Sequence, residues 1–323
     1  MVPAVHTSLI RKRIGVLLGG NSSERKISLL SGTAVHNALK QKGLDVVNVD
    51  IQNGFESVIE KANIDVAFIA LHGHGGEDGV IQRVLERLKI PYTGSGVQAS
   101  SNAFNKKRTK QILKKKNIPT PVSFLINKKN WLKKIANIQL PVFIKPIDNG
   151  SSIGVYLIES FDTLKSTLRS VFRLYDEYLI EECIIGREIT IGILGNRALP
   201  IIELKPKNAF FDFNAKYTKG KTEYIIPAPL RKSDAARYRR LALATHRALG
   251  ARDFSRVDIM LDYEGNPYVL ELNSIPGFTA TSLLPKAAHE AGLDFSTLCL
   301  SLLTIALKRG LYGKKKYSKN KIK

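Results

Sequence analysis

Residues 13–18, RIGVLL, form an apolar run closed by Gly19 and Gly20, after which Ile27, Leu30, Ala34 and Ala38 recur at helical spacing. That order predicts a strand, a glycine turn and a helix. DVVNVDI (45–51) and DVAFIALHG (65–73) are two further strand-length runs separated by a helical stretch, and a helix is expected over 80–88. Residues 12–94 therefore read as an α/β domain with a parallel sheet and crossover helices, preceded by an extension over 1–11. YTGSG (92–96) marks the boundary, and the two prolines of NIPTP (117–121) forbid a continuous helix there.

The middle section, 95–181, reads as a helix over 103–116, strands at PVSFLI (121–126), PVFIKP (141–146) and VYLIE (155–159), a helix over 161–174, and a strand at EYLIEECI (177–184). The last section, 182–309, opens with strands EITIGILG (188–195) and PIIEL (200–204) and closes with helices over 233–249 and 283–309. Both are α+β. Between them, KPKNAFFDFNAKYTKGKTEYIIPAP (205–229) fits neither period, and an irregular stretch of that length is read as a functional lid or a disordered segment. The lysine-rich residues 310–323 are expected to be a disordered basic tail. No internal repeat is present.

Composition adds limits. A chain of 323 residues with 44% hydrophobic residues can bury real cores in about two domains. No apolar run reaches the ~18 residues needed to span a bilayer, and MVPAVHTSLIRKR lacks the apolar core and cleavage site of a signal peptide, so a soluble cytoplasmic protein is expected, with no membrane partner. Cys183 and Cys299 sit in no CxxC spacing and are read as reduced, buried small hydrophobes. A net charge of +22 suggests nucleic acid, but the lysines are scattered, concentrating at NKKRTKQILKKKN (105–117) and GKKKYSKNKIK (313–323) without the aromatics interleaved as an RNA-binding sheet would require. They are read as solvated faces, with attraction of an anionic substrate left open and no nucleic-acid partner expected.

The most informative stretch is RVDIMLDYEGNPYVLELN (256–273). As a hairpin turning at Glu264 and Gly265, it sets Asp258 opposite Glu271 and Arg256 opposite Asn273 on one face. Val257, Ile259 and Leu261 then share the other face with Tyr268, Leu270 and Leu272. Two opposed carboxylates repel unless a cation neutralises them, and Mg²⁺ prefers one or two carboxylates, a neutral oxygen such as the Asn273 amide, phosphate and water. The alternative is a solvated face on which Arg256 pairs with an acid. SIPGF (274–278) follows and offers backbone N–H groups.

Other segments add to this. Lys145 ends PVFIK and precedes PIDNGSSIGV, a Gly/Ser hairpin loop whose N–H groups could cover a polyphosphate, although it is no Walker A loop. HGHGGEDG (72–79) follows a strand and lets a backbone approach a ligand closely, with His72 or His74 as phosphate contacts; ligands at a zinc spacing are lacking. GGNSSERKIS (19–28) lacks GxGxxG but supplies a helix N-terminus beside Glu24.

Taken in order, GGNSSERKISLLSG, LHGHGGEDGVIQ, PYTGSGVQAS, FIKPIDNGSSIGV, LIEECIIGREIT, DFNAKYTKGKTEYIIPA, SRVDIML and LELNSIPGFTATSLLP resemble the D-alanine:D-alanine ligase family of the ATP-grasp superfamily, from about residue 12 to residue 309. The resemblance implies an N-terminal α/β substrate domain followed by a central (95–181) and a C-terminal (182–309) ATP-grasp subdomain. It implies that ATP phosphorylates the carboxylate of one D-alanine and that the amine of a second attacks, giving D-alanyl-D-alanine for peptidoglycan synthesis.

The family's residues map onto this chain as follows. Asp258, Glu271 and Asn273 would hold two Mg²⁺ (or Mn²⁺) ions. Lys106, Lys145 and Lys216 would bind phosphates, and Glu181, Cys183, Ile184, Glu188 and Phe210 would frame adenine and ribose. Arg256 and the Gly277 N–H would face the tetrahedral oxyanion, Glu24 the first ammonium, and Ser282 and Leu283 the second D-alanine. His72 would lie near the phosphates and the first substrate, and Glu24, Ser151 and Tyr217 would lock the lid. A homodimer is the family's usual state.

Three positions depart from the family pattern: Asn105 stands where an aspartate is common, Asn149 replaces an acid, and Glu182 replaces a lysine beside the adenine. They put nucleotide affinity in question but leave the reaction class intact. The alternatives are the same fold making D-alanyl-D-serine or D-alanyl-D-lactate, the latter disfavoured by Tyr217, and an inactive basic binding protein. The third would have lost Asp258, Glu271 or Lys145, all of which are present.

Overall fold

β1 (Arg13–Leu18) lies between β2 (Asp45–Asp50) and β3 (Val66–Ile69) in a parallel sheet of order β2-β1-β3, extended by a parallel bridge from Ala67 to Tyr92. Five of the six β1 residues are buried, as expected for a parallel strand covered on both faces. In this computed structural model residues 8–52, 54–136, 138–150, 153–206 and 222–319 are described. Ser151, Phe210, Lys216 and Tyr217 lie outside those residues.

Helix α1 (Arg25–Lys40) packs on this sheet, but through a face rotated from the one expected. Ser28, Ser31, Gly32, Val35, Ala38 and Leu39 are buried, while Leu30 is exposed and Ile27 and Ala34 are half-buried. The helix carries apolar residues on two sides, and small residues select the packed one. At Gly32 a Cβ would stand 2.5 Å from the Leu18 Cβ, so helix and strand approach each other only because that atom is missing. α2 (Phe55–Ala62) and α3 (Val80–Arg87) cover the opposite sheet face.

The helix expected over 103–116 is two helices, α4 (Val97–Phe104) and α5 (Lys106–Lys115). Asn105 separates them in an extended conformation and caps α5 by accepting the Arg108 N–H at 3.0 Å. Next comes a four-stranded antiparallel sheet of order β4-β7-β5-β6, from β4 (Ser123–Asn127), β5 (Val142–Pro146), β6 (Tyr156–Ile158) and β7 (Glu177–Glu182). The short α6 (Trp131–Lys134) and α7 (Phe161–Val171) complete its core, and Ser160 caps α7.

The third sheet runs β10-β9-β8-β11-β12, from β8 (Arg187–Leu194), β9 (Arg197–Pro206), β10 (Thr222–Ile225), β11 (Phe254–Leu261) and β12 (Pro267–Asn273). β10 comes from the stretch expected to be irregular; Thr222–Ile225 pairs antiparallel with β9. Helix α8 (Lys232–Ala248) packs on one face with α5.

The apolar run over 283–309 is also two helices, α9 (Leu283–Glu290) and α10 (Phe295–Lys319), bent by 102° at the break. Gly292, at φ +85°, makes the turn. α10 continues through Lys319 where a disordered tail was expected, because lysine is a good helix former and an established helix extends one residue at a time. Among the described residues no single helix is long and apolar enough to cross a membrane.

α9 and α10 join the first and third sheets in one core, where Val16, Phe68, Leu284, Leu298, Cys299 and Leu302 are buried together. Cys299 is fully buried; Cys183 is only half-buried, not the core residue expected, because it lies just past β7. An ion-pair clasp closes the same junction. Asp253, at φ +62°, accepts from Arg309 at 2.6 Å and from the Gly94 N–H at 2.9 Å, while Arg309 also donates to the Tyr92 carbonyl.

Gly32→Ala provides a test of the α1 contact. Alanine at an unconstrained helix position would stabilise, but here the clash with Leu18 should lower the unfolding free energy by about 1–3 kcal/mol, read from the shift in urea midpoint.

Candidate active site

The sequence pairs that mattered most are in register: Asp258 faces Glu271 and Arg256 faces Asn273 across β11 and β12. Beyond Asp258 the register slips by one residue, so that Ile259 faces Val269 and Met260 faces Tyr268. This β-bulge corrects the expected core face. Val269 is buried, whereas Tyr268 and Leu270 are not, and Leu270 and Met260 instead line a small cavity of about 100 Å³ between the second and third sheets.

Asp258 is buried in a tight network. Arg256 donates to both its oxygens at 2.9 and 2.8 Å, Thr190 donates to Oδ1 at 2.6 Å, and the Asn273 amide nitrogen donates to Oδ2 at 3.0 Å. The pairing of Arg256 with an acid, the alternative weighed from sequence, is therefore present, but on a buried wall and not on a solvated face. Two carboxylates in register with an amide oxygen beside them make a hard-oxygen donor set. Among the described residues no three His, Cys, Asp or Glu side chains gather at a metal-binding spacing. Two carboxylates and an amide oxygen would suit Mg²⁺, which completes its shell with phosphate and water, better than zinc.

A larger cavity of about 1000 Å³ opens beside this wall. Glu24, His72, Lys106, Arg256, Glu271, Asn273, Gly277, Ser282 and Leu283, proposed from far-separated segments, all line it. The small cavity collects Lys145, Glu181, Ile184, Glu188 and Asp258, and Lys106 and Glu271 border both. Cys183 is not on either wall; its N–H is held by the Pro141 carbonyl at 3.2 Å.

Each residue is placed by its local fold. Glu24 precedes α1, and a Cβ on Gly73 or Gly150 would come within 2.9 or 2.6 Å of its Oε2, so both glycines admit this carboxylate. It therefore sits against the loop that leads into Ser151. Lys106 opens α5 and donates to the carbonyl of Asn149. His72 is buried, with Nδ1 3.1 Å from the Ile275 carbonyl and Nε2 3.1 Å from Ser31 Oγ, which also accepts the Phe278 N–H at 3.1 Å. The consistent proton order is Phe278 N–H to Ser31, Ser31 O–H to Nε2, and Nδ1–H to Ile275. Burial holds the imidazole below its ordinary range against the pull of Glu24. His72 thus pins the SIPGF loop to α1. Ser282 closes the same loop, its Oγ accepting the Thr279 N–H at 3.1 Å.

The structure adds two residues that sequence reasoning passed over. Glu77, within HGHGGEDG, lines the large cavity; burial first and Glu271 second push its carboxyl up to about 8. Lys110, one of many lysines in its helix, is 8% exposed and 2.5 Å from Glu181. Lys145 holds the other oxygen of Glu181. Burial would raise the Glu181 carboxyl, but Lys110 and then Lys145 overcome it and hold it at about 2. Of the three departures, Asn105 caps α5 and Asn149 lends its carbonyl to Lys106. Glu182 is exposed and accepts the Val122 N–H at 3.3 Å.

The sequence profile described as D-ala D-ala ligase C-terminus matches residues 112–304, and that described as D-ala D-ala ligase N-terminus matches residues 53–95. This chain belongs to the D-alanine–D-alanine ligase family. It is 44% identical to the D-alanine--D-alanine ligase of Carboxydothermus hydrogenoformans over 318 residues, covering 94% of this chain and 100% of the relative. The enzyme of that name from Geobacter sulfurreducens is 45% identical over 299 residues, covering 91% and 94%. Among solved structures, D-alanine--D-alanine ligase from Bacillus anthracis complexed with ATP superposes with a TM-score of 0.81 at 34% identity, covering 94% of this chain and 99% of that one. VanG D-Ala:D-Ser ligase from Enterococcus faecalis gives 0.77 at 28% identity, covering 90% and 98%. The α/β plus ATP-grasp architecture read from the sequence is that of these structures.

The Glu181 pair carries a pH signature. A carboxyl held from 4.5 down to about 2 contributes stability above pH ~4.5 that is lost as pH falls toward 2. The urea midpoint of Glu181→Gln should accordingly fall less steeply than that of the unsubstituted protein between about pH 5 and pH 3. Parallel profiles would contradict the ionised buried pair.

Proposed function

We propose that this chain is a cytoplasmic, homodimeric ATP-dependent ligase that joins two D-alanines through a D-alanyl phosphate to give D-alanyl-D-alanine for peptidoglycan precursors, releasing ADP and phosphate. The observation that carries this reading is the wall on which Asp258 faces Glu271 and Arg256 faces Asn273, set where the two cavities meet. Polyphosphate belongs on one side of that wall and the reacting amino acids on the other.

The nucleotide lies in the small cavity and the cleft around it. Glu181, Glu188, Ile184 and the backbone at Cys183 frame adenine and ribose, with Phe210 packing on the base. Lys106, Lys145 and Lys216 neutralise phosphate oxygens. Asp258, Glu271 and the amide oxygen of Asn273 would hold Mg²⁺ or Mn²⁺, two ions in all, which when bound withdraws charge from the phosphates. No all-protein cage is needed for that.

In the large cavity Glu24 receives the first D-alanine's ammonium, and its carboxylate is thereby aimed toward the phosphates. Ser282 and Leu283 seat the second D-alanine, whose amine attacks the acyl phosphate. Arg256 and the Gly277 N–H face the oxyanion that develops, an arrangement that stabilises charge without reorganising solvent. Glu24, Ser151 and Tyr217 lock the lid, which keeps water from the acyl phosphate. Tyr217 favours an amine over a hydroxyl nucleophile, so D-alanine is the expected second substrate.

Phosphate release with Mg²⁺-ATP and D-alanine, D-serine, D-lactate or L-alanine, with products identified, tests the whole reading; D-alanyl-D-alanine should dominate. Glu271→Gln should keep the fold and lose turnover by about 100-fold or more, and activity like that of the unsubstituted enzyme would remove the metal assignment. In Tyr217→Phe, phosphate release should outrun dipeptide formation. Unchanged coupling would count against the lid lock.

A further inference from the structure

Lys110 lies in α5 with its ammonium almost wholly out of water, and three acceptors surround it. Glu181 Oε2 is at 2.5 Å, Thr120 Oγ1 at 2.6 Å and the Val269 carbonyl at 3.5 Å. Thr120 is itself fixed, because its hydroxyl donates to Val269 at 2.7 Å. Lys110 is thus a fixed part of the wall of the small cavity. Lys145 is different: it is paired with Glu181 Oε1, its ammonium lies 5.1 Å from the Phe143 ring, and it is twice as exposed, at 15% against 8%.

Glu181 is therefore a buried carboxylate with two lysines, one fixed and one at the cavity edge. A buried carboxylate left without a counter-ion is strongly unfavourable. If Lys145 were its sole partner, moving Lys145 toward a phosphate would strand that charge. We infer that Lys110 is a positioning residue, the standing counter-ion of Glu181, which releases Lys145 to exchange the carboxylate for a nucleotide phosphate. The inference rests on the reading above in which Lys145 meets phosphate. Lys110 also lines the small cavity, but its ammonium is taken up by Glu181, Thr120 and Val269, so its effect passes through Glu181 and Lys145.

The test compares Kd for Mg²⁺-ATP with Kd for adenosine, which has no phosphate, in the full-length protein by calorimetry. Lys145→Met should weaken ATP selectively. Lys110→Met should do the same, by at least about tenfold with adenosine changed by less than about threefold, because Lys145 is then retained by Glu181. Lys110→Arg, which keeps the counter-ion, should restore the ratio. In a Glu181→Gln background there is no buried charge to balance, so adding Lys110→Met should shift the ATP Kd by less than about threefold. That comparison also serves if Lys110→Met alone does not fold. A merely structural lysine would weaken ATP and adenosine in parallel, and that result overturns the proposal, as does a tenfold loss in the Glu181→Gln background. If Lys145→Met leaves the ratio unchanged, the phosphate role of Lys145 falls and this proposal with it; if Lys145→Met acts and Lys110→Met does not, this proposal alone falls.

Discussion

Two like charges held face to face are the constraint around which the third sheet is arranged. Asp258 and Glu271 occupy directly opposed positions on β11 and β12, a placement that the strands themselves disfavour. Everything next to them offsets this. Arg256, Thr190 and Asn273 all donate to Asp258, Glu271 opens on both cavities, and apolar side chains fill the other sheet face. An acidic wall of this kind is stable only where positive charge can reach it, and Lys106, bordering the same two cavities, stands at that point. The second acidic centre, Glu181, answers the same problem with two lysines in place of an arginine.

The alternation of side chains along a strand made the first of these centres legible without coordinates. A period of two sets Asp258 and Glu271 on one face as long as the register between the strands is the right one at those residues. It does hold there, and fails one residue later. The bulge that follows had no compositional mark, since Val269 and Leu270 are both apolar and either could have entered the core. Its consequence is local, because it turns Leu270 toward the small cavity.

Helix faces were harder to read for a related reason. α1 has two apolar sides, and the packed one is chosen by Ser28, Ser31 and Gly32, whose small size hydropathy does not reward. The other side, with Ile27, Leu30 and Ala34, lines the large cavity. Lys110 illustrates a different limit. In NKKRTKQILKKKN it is one cation among many, and only tertiary placement beneath Glu181 separates it from neighbours on the solvated face. The resemblance to the ligase family named residues that line the large cavity, yet it said nothing about which lysine of α5 is buried against Glu181.

The return of α10 to the first sheet has a bearing on how the chain is made. β1, β2 and β3 leave the ribosome early, but the face of that sheet on which α1 packs is completed by Leu298, Leu302 and other residues of a helix that begins at Phe295. Until that helix has been synthesised, the part of the sheet that α10 covers stays exposed, the kind of apolar surface that makes a nascent chain prone to aggregation. The first sheet and α10 complete one shared core, however far apart they were translated.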